Sequence, residues 1–331
     1  MRATTPRPTP GPSGAPALAG ALDGQELTTR DLLSSVDKRR RRTDRTMTGL
    51  VWLAFVLAIT PLVSLLWTVL RNGLTKFNGY FLLHSMRNVS GGMDAGGAYH
   101  AIAGTVLITL GTAVISVPIG LLAAIYLVEY GRGPLARAVT FFVDVMTGIP
   151  SIVAGLFSFA VFALFFGPGV RLGIMGSVAL ALLMTPVVVR SSEEMLRLVP
   201  NELREASYAL GVPKWLTIVK VVLRTSIAGL TTSVLLAVAR VIGETAPLLI
   251  AVGTTASINF DLFSGRMMTL PVFIYDQYHQ GPARCAPHAT DCLVSINLDR
   301  AWAAALTLLL IVVILNLVGR LVTRLFAPKL R

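Results

Sequence analysis

Long apolar stretches recur along the chain and are separated by shorter polar segments. About 20 residues at 1.5 Å each cross the hydrocarbon of a bilayer, so this pattern predicts six membrane-spanning helices. The predicted spans cover residues 47–70, 101–128, 138–166, 172–189, 225–250 and 301–318. The fifth helix must continue past Ala239 to be long enough, which takes Arg240 and Glu244 into the membrane. We therefore expect an all-α fold, a polytopic membrane helix bundle of six transmembrane helices.

The segments outside the spans differ in character. Residues 1–46 are rich in proline and contain no apolar run, so we expect a disordered cytoplasmic tail followed by a membrane domain over residues 47–327. Residues 190–224 form a polar cytoplasmic loop with helical periodicity. Residues 253–300 form an external loop that mixes apolar stretches with proline and glycine. We expect packed structure in the external loop, partly re-entrant around residues 267–275.

Composition and charge fit a membrane protein. The chain is 54% hydrophobic and 14% charged, whereas soluble proteins typically carry about a quarter charged residues. The net charge of +12 comes largely from Lys and Arg in the segments that we assign to the cytoplasm, beginning with the basic cluster at residues 38–45. This asymmetry places both termini inside. Nucleic-acid binding by the cluster is less favoured, because no aromatic or folded reading element accompanies it.

The chain lacks the motifs of the common enzyme classes. It contains no phosphate-binding glycine loop, no zinc-protease motif and no nucleophile elbow, and its four histidines are scattered without ligand spacing. We therefore expect no catalytic residue, no metal and no cofactor, and consider a transporter, a channel or a complex scaffold. The two cysteines, Cys285 and Cys292, both lie in the external loop, where a disulfide or two free thiols are about equally plausible.

The cytoplasmic loop contains a helix-turn-helix pattern. Leu203, Ala206 and Leu210 recur at helical spacing, Gly211 can take the positive φ that closes a helix, and Pro213 suits the first position of the next one. This pattern predicts a short helix, a tight turn and a second helix that leads into span five. Such a unit is either a loop helix at the membrane interface or a rigid element that a cytoplasmic motor protein can move.

The same segment resembles a known motif. Glu205-Ala206-Ser207, followed by Gly211 six residues after the glutamate, is similar to the EAA loop of ABC-importer permeases. In that family the loop docks in a groove of the ATPase subunit. The resemblance implies that Glu205, Ala206, Ser207, Leu210 and Gly211 couple this chain to an ATPase.

Arg240 and Glu244 would lie one turn apart on one face of helix five. Each charge costs several kcal/mol in a membrane unless it faces a partner or water. The two side chains could form a structural ion pair. Alternatively, Arg240 could bind an anion in the transport pathway, since the planar N–H donors of its guanidinium match a tetrahedral oxyanion. Glu244 would then favour hydrogen phosphate, which can donate a proton to a carboxylate, over sulfate, which cannot.

The string from Arg240 through Glu244 and Thr245 to Pro247 resembles the A-type permease of phosphate-specific ABC importers, and residues 148–157 and 302–306 support the resemblance. It implies a type I ABC-importer permease fold in the bacterial cytoplasmic membrane, with phosphate contacting Arg240, Glu244 and Thr245. Its expected partners are membrane lipid, a homologous C-type permease, two ATPase subunits that bind the ATP, and an extracytoplasmic phosphate-binding protein.

Span three carries two further features. Gly148-Ile149-Pro150 interrupts it, and we interpret Gly148 and Pro150 as a packing feature or a helix hinge. Asp144 lies near the inner end, where we expect it to reach the headgroups and pair with Arg137. Three other functions stay open: an importer of sulfate or molybdate, a non-transporting membrane sensor or scaffold, and an ion-coupled secondary carrier.

Overall fold

The computed structural model describes residues 38–89, 92–285 and 292–326, and these residues contain helices but no strand. The helices are α1 Lys38–Gly73, α2 Gly79–Leu83, α3 Tyr99–Ile125, α4 Gly133–Thr147, α5 Ser151–Phe166, α6 Gly173–Arg197, α7 Asn201–Ala209, α8 Lys214–Thr217, α9 Leu223–Val241, α10 Ala246–Ala251, α11 Leu270–Gln280 and α12 Ile296–Phe326. A π-helical turn, Tyr126–Tyr130, continues α3, and another, Ile218–Val222, joins α8 to α9. The all-α prediction is confirmed.

The expected disordered tail lies largely outside the described residues, which begin at residue 38. Its last part, residues 38–46, is helical in α1 rather than disordered, so the disorder expected there was wrong. Lys and Arg are good helix formers, and the apolar span that follows lets the helix extend into the basic cluster. The described residues divide into two compact units, one that ends at residue 66 and one that begins at residue 67, and every site described below lies in the second unit.

Five helical segments among the described residues are long and apolar enough to cross a membrane, and there are six if a bent pair of helices is one broken span. The bent pair is α4 and α5, whose axes differ by 107°. The bend lies at the interruption that the sequence showed in span three. The bend falls at Gly148-Ile149-Pro150 because proline has no N–H to donate and its ring pushes the preceding residue out of helical geometry.

Helices α3 and α6 form the centre of the second unit through hydroxyl groups that bond to the neighbouring backbone. Thr112 and Ser116 of α3 donate to the carbonyl oxygens of Ser177 and Ala181, each at 3.3 Å. Ser177 donates in return to the carbonyl oxygen of Ile108 at 3.1 Å. These bonds satisfy polar side chains inside an apolar environment and fix the two helices against each other.

The external loop folds back onto the bundle. The side chains of Met267 and Phe273 are each 1% exposed, and the backbone N–H of Leu270 donates to Thr105 Oγ1 of α3 at 2.8 Å. Cys285 and Cys292 form a disulfide with their Cα atoms 5.6 Å apart. Of the two states that the sequence left open, the structure thus contains the bridged one.

Arg300, near the start of α12, ties the external loop to the segment before α3. Its side chain is 1% exposed. The guanidinium Nη2 donates to the carbonyl oxygens of Met93 at 2.6 Å and Ala95 at 2.7 Å. A charge-assisted bond of this kind is about twice as strong as a neutral one, so Arg300 holds together two segments that are about 200 residues apart in sequence.

Candidate functional site

The fifth span is broken where its two charged residues lie. Helix α9 ends at Val241, and the chain becomes helical again only at Ala246. The prediction that Arg240 and Glu244 share one face of a continuous helix was therefore wrong. Pro247 explains the break, because it fits the first turn of a new helix but in a continuous helix would remove a hydrogen bond and clash with the carbonyl four residues earlier.

The charges at this break have no partner within the described part of the chain. Arg240 is exposed and Glu244 is half-buried, and neither side chain makes a hydrogen bond or an ion pair there. The hydroxyl of Thr245 does not cap α10. The ion pair considered as the structural alternative is thus not formed. A charged side chain at the centre of a membrane helix costs about 2.5–3.5 kcal/mol or more, so both groups need water, a ligand or another subunit.

The breaks in spans three and five lie close together because α10 packs on α5. A Cβ atom placed on Gly155 would lie 2.6 Å from the Cα atom and 2.8 Å from the carbonyl oxygen of Pro247. Gly155 is therefore the residue that lets the two helices touch. Pro150 directly precedes α5, and Glu244 lies two residues before α10, so a movement of either helix would displace the other.

The helix and turn predicted in the cytoplasmic loop are present as α7 and the residues after it. The backbone N–H of Gly211 donates to the carbonyl oxygen of Tyr208 at 2.9 Å, and that of Val212 donates to Ser207 at 3.2 Å. Gly211 has a φ of +76°, the left-handed conformation that closes a helix. Pro213 immediately precedes α8 rather than occupying its first position.

The residues expected to couple to an ATPase differ in their exposure. Glu205 and Ala206 of α7 are exposed, and Leu210, the first residue after α7, is 83% exposed. Ser207 is buried, with its Oγ 2.8 Å from Thr217 Oγ1 of α8. The first three side chains are therefore accessible from outside, whereas Ser207 holds α7 against α8.

One buried ion pair anchors α7 to the membrane bundle. Arg204 donates from Nε and Nη2 to Glu129 Oε1 at 3.1 and 3.0 Å, and the two side chains are 13% and 5% exposed. Arg204 also donates to the carbonyl oxygens of Val199 at 2.6 Å and Leu196 at 3.1 Å. Sequence reasoning missed Glu129, although a glutamate beside a predicted cytoplasmic span end was a usable signal.

Asp144 pairs with Arg190 rather than with Arg137, so that expectation was wrong. Arg190 also donates to Glu193 at 3.0 Å, and Arg197 donates to the other oxygen of the same carboxylate at 2.6 Å. Helix α6 continues to Arg197, beyond the predicted end of span four at residue 189, and its last two turns carry these ion pairs. The network joins α4 to the C-terminal end of α6.

Several known proteins are similar to this chain. Residues 116–331 match the family described as "Binding-protein-dependent transport system inner membrane component". The chain is 46% identical over 287 residues to the "Phosphate transport system permease protein PstA 1" of Mycobacterium tuberculosis (strain CDC 1551 / Oshkosh), with 86% of this chain and 90% of that protein covered. It is 36% identical over 285 residues to the PstA protein of Pasteurella multocida (strain Pm70), with 85% and 95% covered.

Solved structures show the same fold at lower identity. Two inward-facing structures of the MetNI methionine ABC transporter match with TM-scores of 0.50 and 0.51 at 21% and 19% identity. Each match covers 70% of this chain and 95% of the transporter chain. At this identity the likeness concerns the arrangement of helices and not the transported molecule.

Proposed function

This chain belongs to the binding-protein-dependent transport permeases of the PstA type, and we propose that it carries inorganic phosphate inward across the cytoplasmic membrane by alternating access. It is a multi-pass membrane subunit of an ABC importer and not itself an enzyme. Such a permease works with an ATPase and a substrate-binding protein. We propose further that a homologous C-type permease and two ATPase subunits complete the complex, and that both termini of this chain lie in the cytoplasm.

The observation that carries the substrate proposal is the pair of unpartnered charges at the break of span five. Arg240 offers several N–H donors in one plane, which suits a tetrahedral oxyanion. Glu244 can accept the P–OH proton of hydrogen phosphate, whereas sulfate has no proton to give. Thr245 adds a hydroxyl that can donate or accept. The three groups complement a partly protonated oxyanion in passage.

The coupling proposal rests on the cytoplasmic helix α7. Glu205 and Ala206 are exposed on this helix and Leu210 is exposed directly after it, so all three side chains are accessible to another protein. Behind it, the bond network of Arg204 links α7 rigidly to the ends of α3 and α6. A displacement of α7 by a bound protein would therefore move transmembrane helices and not a loop alone. The contact of α5 with α10 would transmit that displacement to the segment that contains Glu244.

Uptake of radiolabelled phosphate tests the transport proposal. Phosphate-starved cells that lack their own A-type permease would receive this chain, the Arg240→Gln variant or the Arg284→Gln variant at equal membrane abundance. Arg284 is an exposed cation of the external loop and serves as the matched control. We expect uptake with the natural chain and the control and no uptake with Arg240→Gln. Absence of uptake from a fully assembled natural complex would overturn the phosphate proposal and favour another oxyanion or a sensor.

The role of Glu244 is tested separately through selectivity. The intact importer in vesicles would be assayed for phosphate uptake in the presence of excess sulfate, with Glu244→Gln compared with Glu194→Gln, an exposed glutamate on α6. We expect Glu244→Gln to lose much of its preference for phosphate over sulfate while the control keeps it. If Glu244→Gln kept the natural preference for phosphate over sulfate, Glu244 would not be a selectivity residue, but the proposed transport function would still stand.

A further inference from the structure

An apolar groove opens on the surface of the second unit between the ends of α3 and α9. Its volume is about 730 Å³. Leu121 and Ile125 of α3 form one wall, and Ile227, Val234 and Leu235 of α9 form the other. Ile227 remains 37% exposed. A groove of this size and lining favours an apolar chain over a hydrated ion.

One end of the groove is cationic. Lys220 and Arg224 line that end, both are exposed, and neither side chain has a hydrogen bond or ion pair within the described residues. Lys220 lies in the π-helical turn before α9, and the π-helical turn after α3 begins just beyond Ile125. Wide turns of this type are rare and frequently mark functional sites. Two of them flank the cationic end of the groove.

The length of the groove corresponds to one leaflet of a bilayer. From Lys220 to Leu235 the helix rises about 22 Å at about 1.5 Å per residue. Half of a bilayer, headgroups included, measures about 20–22 Å. The cationic end lies on the side that the charge distribution assigns to the cytoplasm. A lipid molecule of the inner leaflet would therefore place its headgroup at Lys220 and Arg224 and its chain along the apolar walls.

We propose that this groove binds an anionic phospholipid of the cytoplasmic leaflet. Basic pockets between transmembrane helices on the cytoplasmic side are suited to such headgroups, and each Lys or Arg near the surface contributes about 1 kcal/mol to the attraction. Free phosphate would be held by the two cations alone and would leave the apolar walls uncovered. A lipid uses both parts of the groove.

The groove opens on a different side of α9 from the proposed transport pathway. At about 100° per residue, Ile227 and Val234 point about 120–140° away from Arg240. If Arg240 faces the pathway and the partner permease, as proposed above, the groove faces the membrane lipids. The choice of a lipid rather than the partner subunit as the occupant thus rests on the proposed function. The charge and shape of the groove are independent of that function.

Native mass spectrometry of the intact importer, titrated with phosphatidylglycerol or with phosphatidylcholine of the same acyl chains, tests the proposal. We expect the natural complex to bind phosphatidylglycerol more tightly. Replacing both Lys220 and Arg224 by Gln should weaken that binding about thirtyfold, at about fivefold per cation. The control pair Arg132→Gln and Arg137→Gln, exposed cytoplasmic cations outside the groove, should leave the binding unchanged.

A second variant tests the apolar part of the site. Ile227→Trp would fill the groove and should abolish phosphatidylglycerol binding although both cations remain. Equal binding of the two lipids, equal losses in the test and control pairs, or no effect of Ile227→Trp would each overturn the proposal. So would capture of the partner permease by a photo-crosslinker at position 227. Arg240→Gln should stop transport without changing lipid binding, so failure of either proposal can be recognised separately. Inorganic phosphate should not compete with the lipid.

Discussion

Replacing Arg204 by alanine should loosen helix α7. The replacement leaves the carboxylate of Glu129, only 5% exposed, without its ion-pair partner. Removing one member of a buried ion pair typically costs about 3–5 kcal/mol, because an uncompensated charge stays behind. The carbonyl oxygens of Leu196 and Val199 also lose their donor. We therefore expect local opening of α7 to become easier by at least about 3 kcal/mol.

Amide hydrogen exchange of residues 201–211 in the intact importer measures this effect directly. Since about 1.4 kcal/mol corresponds to a factor of ten, exchange should accelerate by about two orders of magnitude or more. Arg197→Ala is the matched control. Its side chain is 66% exposed, and Glu193 keeps Arg190 as a partner at 3.0 Å when Arg197 is removed. Because Arg197 is largely exposed and Glu193 is not left without a partner, we expect a loss of at most about 1 kcal/mol, so exchange should change by less than about fivefold.

A third variant separates the ion pair from mere loss of side-chain packing. Adding Glu129→Gln to Arg204→Ala removes the stranded charge, so exchange in the double variant should be slower than in Arg204→Ala. If Arg204→Ala and Arg197→Ala gave the same exchange rates, or if Glu129→Gln made the double variant faster, the ion pair would not be what anchors α7.

Three further changes have defined outcomes. Gly155→Ala should drive a methyl group into the backbone of α10 and reduce phosphate uptake severalfold at unchanged abundance, whereas Gly148→Ala, whose Cβ would meet its nearest neighbour at 3.4 Å, should retain most uptake. Gly211→Ala should accelerate amide exchange in the last turn of α7 about fivefold or more, because a left-handed conformation costs a non-glycine residue about 1–2 kcal/mol. Cys285→Ser with Cys292→Ser should lower the melting temperature of the natural complex, since a bridge across so short a loop contributes about 2–3 kcal/mol. Maleimide labelling of the unreduced natural chain at these cysteines would contradict the last expectation.

The sequence was sufficient for the features that depend on local pattern. Apolar runs of the length of a bilayer located the membrane helices, because a chain in lipid must satisfy its backbone within helices. The end of α7 could be predicted from Gly211, because a glycine that follows a helical pattern commonly ends the helix in the left-handed conformation. The family resemblance rested on contiguous sequence motifs, which can be recognised in a single sequence.

Two of the features that were missed depend on residues far apart in sequence. Glu129 and Arg204 are separated by 75 positions, and no periodicity links them. The bend in span three was visible as Gly148 and Pro150, but its 107° angle was not, because the angle depends on which helices pack against each half. The break after Val241 is local, and it was missed because the helix was extended past Ala239 to reach the length of a bilayer without regard to the clash that Pro247 would cause in a continuous helix.

The break in span five is also the strongest reason to expect that this surface is covered in the working importer. Irregular backbone at membrane depth is tolerated only where protein or a water-filled cavity surrounds it. In the described chain Arg240 is exposed and without a partner, and Glu244 has none either. Packing of α10 on α5 and α6 surrounds part of the break. The charges themselves need water, a ligand or another subunit, so if the proposed partner permease covers them, Arg240 and Glu244 should become protected from water-soluble reagents only after that permease has assembled.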